Sequence, residues 1–229
     1  MSEVSLGKWF GIPVYLHMSW VIWITLITFL SISTAMVMYG LFAIVLLHEF
    51  GHCFAARYFN RKVYDITLYP YGGVASIDIP ERPFEEFVVV LCGPLVNVFL
   101  VLPLYYFNLP TFAKLNMLLL VFNLFLPAFP CDGGRIIRAV LQAITKNRIL
   151  ATTIATRIGQ VTLICLGVTS FYFGQFILTF LSFALISQGQ LELQYEIAKA
   201  AQINKDEDLE NIENIQQRIG NVALDLRQS

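Results

Sequence analysis

Tyr39-Gly40-Leu41-Phe42-Ala43-Ile44-Val45-Leu46-Leu47-His48-Glu49-Phe50-Gly51-His52 is an apolar run that ends in two histidines four residues apart. Residues at i and i+4 share one face of a helix. His48 and His52 can therefore hold one zinc ion together, and Glu49 between them can activate a water molecule. A soluble hydrolase would carry this motif on an amphipathic helix with a polar face. The apolar setting here places hydrolytic chemistry inside a membrane.

Composition agrees with that setting. Of 229 residues, 57% are hydrophobic and 14% charged, with a mean hydropathy of +0.66, far from the balance of a soluble domain. The expected fold class is an all-α polytopic membrane protein. A net charge of -1 gives no general attraction to nucleic acid, which is excluded as a partner. Cys53, Cys92, Cys131 and Cys165 lie scattered in apolar segments without paired spacing, which argues for packing residues and against a disulfide framework. No small-residue cleavage site follows the first apolar run, so it is read as a retained helix and not a signal peptide.

Crossing the hydrocarbon core takes about 20 apolar residues. Six spans meet that need: Pro13 to Ser31, Val37 to Phe59, Phe84 to Phe107, Phe112 to about Phe129, Ala151 to about Phe171, and Gln175 to Leu191, the last two separated by a turn at Phe173-Gly174. Basic residues favour cytoplasmic span ends. With a cytoplasmic amino terminus, Lys8, Arg57, Arg61, Lys62, Arg82, Arg135, Arg138, Lys146 and Arg148 all fall on the cytoplasmic side, and Lys114 alone falls clearly outside. Both termini are expected in the cytoplasm.

Between the second and third spans, Val63 to Ile79 sets strand-favouring residues around Pro70 and Gly72-Gly73, which reads as a small β-hairpin or sheet beside the zinc helix. An exposed strand there could pair with an extended substrate segment, or the stretch could be a plain connection. After Leu191 charged residues crowd in, so residues 1–191 form an intramembrane core and 192–229 a soluble, mostly helical tail. In that tail Ile212, Ile215, Ile219 and Val222 make a thin apolar stripe suited to weak packing on the core or on another copy, so a homo-oligomer is compatible with it.

A catalytic zinc site needs a third protein ligand and an open position. Asp132 is the leading candidate. It lies in Pro127-Ala128-Phe129-Pro130-Cys131-Asp132-Gly133-Gly134, where prolines and glycines must break a helix, and a broken helix inside a membrane is tolerated only in protein or around a wet cavity. The competing reading makes Asp132 the cap of a helix over Gly134 to Ile144; Asp65 and Asp78 compete for the ligand role. Glu49 is turned by about 100° from His48 on a helix of roughly 3.6 residues per turn. It can thus take a proton from water at the zinc and hand it to the leaving amine. Asn123 or Asn97 could supply an oxyanion donor, or serve as interhelical hydrogen bonds. His17, near Trp20 and Trp23, suits interfacial anchoring or an interhelical bond, with a gating or auxiliary ligand role open.

These landmarks together resemble the site-2 protease family of intramembrane zinc metalloproteases, in its compact prokaryotic branch. The matching residues are His48-Glu49-Phe50-Gly51-His52, Gly93-Pro94-Leu95-Val96-Asn97, Asn123 through Asp132-Gly133-Gly134, Tyr69 to Ala75, and Gly11-Ile12-Pro13 with His17. The resemblance implies His48, His52 and Asp132 as Zn2+ ligands, Glu49 as catalytic glutamate, and an active site within the prokaryotic plasma membrane facing the cytosol. It also implies membrane lipid as surroundings and single-span transmembrane proteins as substrates. Asn123 stands four residues before Pro127 where the family pattern has three. Neither nucleotide-binding repeats nor an inserted PDZ domain is seen, so regulation through such a domain is not expected. A non-catalytic scaffold would not need Glu49, and a metal transporter would normally show repeated halves.

Overall fold

The computed structural model describes residues 3–70, 72–78 and 82–228, with backbone alone for 203–204, 206–208 and 210–228. Tyr71 and Ile79 lie outside the described residues, as do the side chains of the expected stripe of Ile212, Ile215, Ile219 and Val222.

The apolar runs become helices α1 (Met18–Leu30), α2 (Ile32–Tyr58), α3 (Pro83–Tyr106), α4 (Pro110–Phe125), α6 (Arg148–Tyr172) and α7 (Phe176–Gln228), and α5 (Asp132–Thr145) lies between α4 and α6. Four of them are long and apolar enough to cross a membrane: α2, α3, α6 and residues 176–202 of α7. The chain is an integral membrane protein, mostly helical. At 1.5 Å per residue, α1 and α4 are only about 20 and 24 Å long, short of a hydrocarbon core of about 30 Å.

Local chemistry sets the helix ends. Ser31 closes α1 and, with its hydroxyl accepting the Thr34 N–H, opens α2. Pro83 and Pro110 occupy first-turn positions where no N–H is needed. The Asn147 side chain caps α6 by accepting the Leu150 N–H at 2.9 Å. The fourth apolar run was expected to stay helical to about Phe129, but α4 stops at Phe125. Pro127 disfavours helical geometry for Leu126, which turns extended.

The fold is mostly helical as expected, but the sheet is larger than the hairpin between the second and third spans. A four-stranded sheet is present, with β1 (Glu3–Trp9), β2 (Ile12–His17), β3 (Val63–Tyr69) and β4 (Gly72–Ile77) in that order. The hairpin β3–β4 matches the sequence reading, whereas the first span does not begin at Pro13: residues 12–17 are strand and α1 starts at Met18. Hydropathy averaging merges an apolar strand with an apolar helix. The distinguishing signal was the alternation of Ile12, Val14 and Leu16 with Pro13 and Tyr15; Ile12 and Val14 are fully buried. β2 and β3 pair in parallel, which requires a long crossover, and α1 with α2 supplies it. The Phe10-Gly11 turn joining β1 to β2 has positive φ at both residues (51° and 76°), the form that suits a two-residue hairpin. Phe10 is held there by tertiary contacts, edge-on to Phe50 and Phe54 of α2, while Arg57 donates to its carbonyl at 2.6 Å. One apolar core joins Ile12, Val14, Ile66 and Leu68 of the sheet to Phe42 and Phe50 of α2. The sheet therefore lies against the helix that carries the histidines.

A second device ties four helices together at one end. Arg138 of α5, with no exposed surface, donates to Glu86 of α3 and to Glu192 and Glu196 of α7. Arg148 of α6 donates to Glu86 at 2.8 Å, to Glu196 at 2.8 and 2.9 Å, and to Gln142 at 3.1 Å. Arg138 also lies 5.1 Å from the centre of the Phe129 ring, just upstream of Asp132. α7 runs past Leu191 without a break, and Glu192 and Glu196, read from sequence as the start of a soluble tail, engage the core through this network.

Candidate active site

His48 and His52 lie one turn apart on α2, about 15 and 9 Å from its C-terminal end by a 1.5 Å rise per residue, and both are buried. Their rings stand edge to face, 4.8 Å between centres. Space for them exists because α3 presents a glycine. A Cβ on Gly93 would overlap the His52 ring and lie 2.9 Å from His48 Nε2.

Each imidazole is oriented by its Nδ1. His52 Nδ1 donates to the main-chain carbonyl of Val89 on α3 at 2.9 Å. His48 Nδ1 donates to Oδ1 of Asn97, one helix stretch further along α3. Protons on both Nδ1 atoms leave both Nε2 atoms as lone-pair donors. The two Nε2 atoms nonetheless approach to 3.1 Å.

Asp132 joins them. It opens α5 directly after Cys131, and its carboxylate sits 3.1 Å from His48 Nε2 through Oδ2 and 3.4 Å from His52 Nε2 through Oδ1. Oδ2 is buried without a hydrogen-bond partner, because the near nitrogen has no proton to give. Two imidazole lone pairs and a carboxylate converging in a buried space repel one another unless a cation sits among them. A tetrahedral zinc with bonds of about 2.0–2.1 Å sets neighbouring ligands roughly 3.3 Å apart. The observed separations of 3.1, 3.1 and 3.4 Å fit that ion.

Glu49 lies beside this group; its carboxylate and the two histidine nitrogens fall within 4.8 Å of one another. Its Oε2 accepts the main-chain N–H of Ala75, on β4, at 3.2 Å. Gly73 of the same strand allows this approach, since a Cβ there would meet Glu49 Cγ at 2.8 Å.

The remaining sequence candidates are dispersed. Asn97 reaches the site, but its side chain is spent on His48 and on Asn116 of α4, so its placement differs from that expected of an oxyanion donor. Asn123 is half-buried near the end of α4 and makes no side-chain hydrogen bond among the described residues. His17 caps α1 through Nδ1 and stacks on Tyr69 at 4.9 Å. Asp65 is occupied by the hydroxyls of Ser76 and Thr67 within the sheet, and Asp78 is exposed. Asp132 is the first residue of α5, but the cap position falls to Cys131 and no side chain caps the helix; the Asp132 carboxylate turns to the histidines instead. Cys53 and Cys131 are free thiols. The sequence reading missed Asn116, Ala75, Val89 and the Glu86–Arg138–Arg148 network. A polar residue amid the apolar run Pro110–Phe125 was the only signal for Asn116; the main-chain partners leave no signal at all.

Comparison with known proteins adds to this geometry. Residues 36–112 match the model of peptidase family M50. The chain is 36% identical over 176 residues to a zinc metalloprotease of Methanocaldococcus jannaschii, covering 69% of this chain and 51% of that one. It is 31% identical over 145 residues to stage IV sporulation protein FB of Bacillus subtilis, covering 58% and 49%. The chain thus spans about half the length of these curated relatives. A solved structure of the site-2 protease from Methanocaldococcus jannaschii superposes with a TM-score of 0.65 at 32% identity, covering 83% of this chain and 95% of that one. The motif, the fold around it and this near-complete structural match agree: the chain belongs to the site-2 proteases, peptidase family M50.

Proposed function

We propose that this protein is a zinc-dependent intramembrane endopeptidase that cleaves transmembrane segments of other membrane proteins. The observation that carries the reading is the convergence of His48 Nε2, His52 Nε2 and Asp132 at 3.1 to 3.4 Å, with Glu49 alongside, in a helix of membrane-spanning character. His48, His52 and Asp132 hold the metal. Bound zinc supplies a Lewis acid that lowers the pKa of water and polarises a carbonyl.

Glu49 is the general base. One carboxylate oxygen stays on the Ala75 N–H while the other takes a proton from the attacking water; the same carboxyl then gives that proton to the leaving amine. Asn123 stands free to donate to the developing oxyanion once a substrate is bound. His17, held against Tyr69, serves in placing α1 beside the sheet.

All six apolar helices are spans in this reading. α1 and α4 are short, and a bilayer thinned around them brings water nearer the site. Basic residues at the C-terminal end of α2 and around α5 support an orientation with that end and both termini in the cytosol, and the membrane in this reading is a prokaryotic inner membrane. Residues 192–229 form the cytoplasmic tail, and single-span proteins are the substrates. A scaffold role without turnover is less well supported, because it leaves Glu49 without a task.

Co-expression or reconstitution with a panel of single-span substrates tests the proposal. Wild type is expected to cleave at least one of them, and Glu49→Gln to lose at least about a hundredfold in rate. Absence of any cleavage that Glu49→Gln spares would overturn the enzyme reading.

A further inference from the structure

Asn116 is fully buried in α4 and touches neither the histidine–aspartate group nor Glu49, yet it determines how His48 presents its lone pair. Its Nδ2 donates to the main-chain carbonyl of Asn97 at 2.8 Å. A carbonyl oxygen can only accept, so the Asn116 amide has one allowed orientation. Its Oδ1 must then face the Asn97 side chain, 2.8 Å away, and only Asn97 Nδ2 can donate to it. Asn97 is thereby left with Oδ1 toward His48, and an oxygen there requires a proton on His48 Nδ1.

We infer that Asn116 is a positioning residue whose side-chain amide, anchored on the Asn97 carbonyl, locks Asn97 and so holds His48 in the Nδ1–H tautomer that frees Nε2 for the metal. The inference rests on the metal-site reading above. An asparagine by itself offers an oxygen or an NH2 group to its neighbour almost equally well. Without Asn116 the Asn97 amide can turn over and give Nδ2 to His48 Nδ1, which moves the ring proton to Nε2 and blocks ligation there. His52 needs no such relay, because Val89 offers it a carbonyl directly. Both tautomers thus trace to main-chain oxygens of α3.

The test uses full-length zinc-loaded protein in detergent micelles, titrated with a chelator to read zinc affinity. Asn116→Leu removes both amide bonds and is expected to weaken zinc binding about 10- to 100-fold. Asn97→Asp in that background is expected to restore most of the loss, since a carboxylate has no NH2 group to present and must accept from His48. A residue that served only packing would give a double variant at least as poor as the single one. Nitrogen-15 spectra of histidine-labelled wild type supply a readout that needs no variant: the His48 proton belongs on Nδ1.

Wild-type affinity in Asn116→Leu or failure of Asn97→Asp to rescue would each overturn the inference while leaving the zinc site standing; a proton on His48 Nε2 would overturn both readings. A wild-type protein that binds no zinc would overturn both readings.

Discussion

Glu49 Oε2 accepts the main-chain N–H of Ala75 at 3.2 Å, so the carboxylate between the two histidines is tied to strand β4. The contact keeps the strand and the metal helix in register and fixes which carboxylate oxygen is free. Because this N–H points away from the β3 ladder, proline at 75 removes the donor without breaking a strand pair. Hydrogen bonds to charged groups contribute about 1.5–3 kcal/mol. Ala75→Pro should lower kcat/KM at least about tenfold while zinc content stays at the wild-type level. An unchanged rate would show that the contact orients nothing.

Gly93 faces both imidazoles across the α2–α3 interface. Alanine is a better helix former by about 1 kcal/mol, so Gly93→Ala should leave α3 intact. Its methyl group must displace the rings, however, and zinc affinity should fall by an order of magnitude or more. Metal analysis after chelator dialysis reads this directly; full retention would mean the rings have slack that the structure does not show.

The buried network holds two arginines and three glutamates, of which Arg138 and Glu86 have no exposed surface. Deleting Arg138 leaves three carboxylates against Arg148 alone, whereas deleting Glu86 leaves two of each sign. Arg138→Met should therefore destabilise strongly, by about 3–5 kcal/mol, and Glu86→Gln less. Pairing the two substitutions should recover part of the loss. Thermal unfolding in detergent gives the order, and equal effects from both single variants would contradict the charge count.

Zinc binds the folded site and not the unfolded chain, so it should raise the melting temperature with concentration. The expected gain is about 2.7 kcal/mol at a hundred times the dissociation constant. Asp132→Asn, which removes the anionic member of the group, should abolish most of that gain. A zinc-independent melting temperature in wild type would argue against the site.

Much of the site was legible in advance because its signals are local. The spacing of His48 and His52, the glutamate between them and the break around Pro127 to Gly134 can each be read within a dozen residues. The hairpin of β3 and β4 was equally local. Strand β2 was not, because its five apolar residues, Ile12 to Leu16, stand next to an apolar helix and merge with it in any hydropathy average, and the parallel pairing of β2 with β3 spans two helices. The Glu86–Arg138–Arg148 network was hidden for a related reason: its charges read as an ordinary cytoplasmic cluster until four helices enclose them.

The sequence by itself determined that this chain lives in a membrane and carries a metal motif there, since hydropathy and helical spacing are properties of neighbouring residues. Only the tertiary structure decided how the motif is armed. Val89, Asn97 and Asn116 reach the histidines from two other helices, and Ala75 reaches Glu49 from a strand. Proton placement on an imidazole depends on which oxygen or nitrogen stands within 3 Å of it. That is a matter of packing between distant segments, and no local pattern in the chain encodes it.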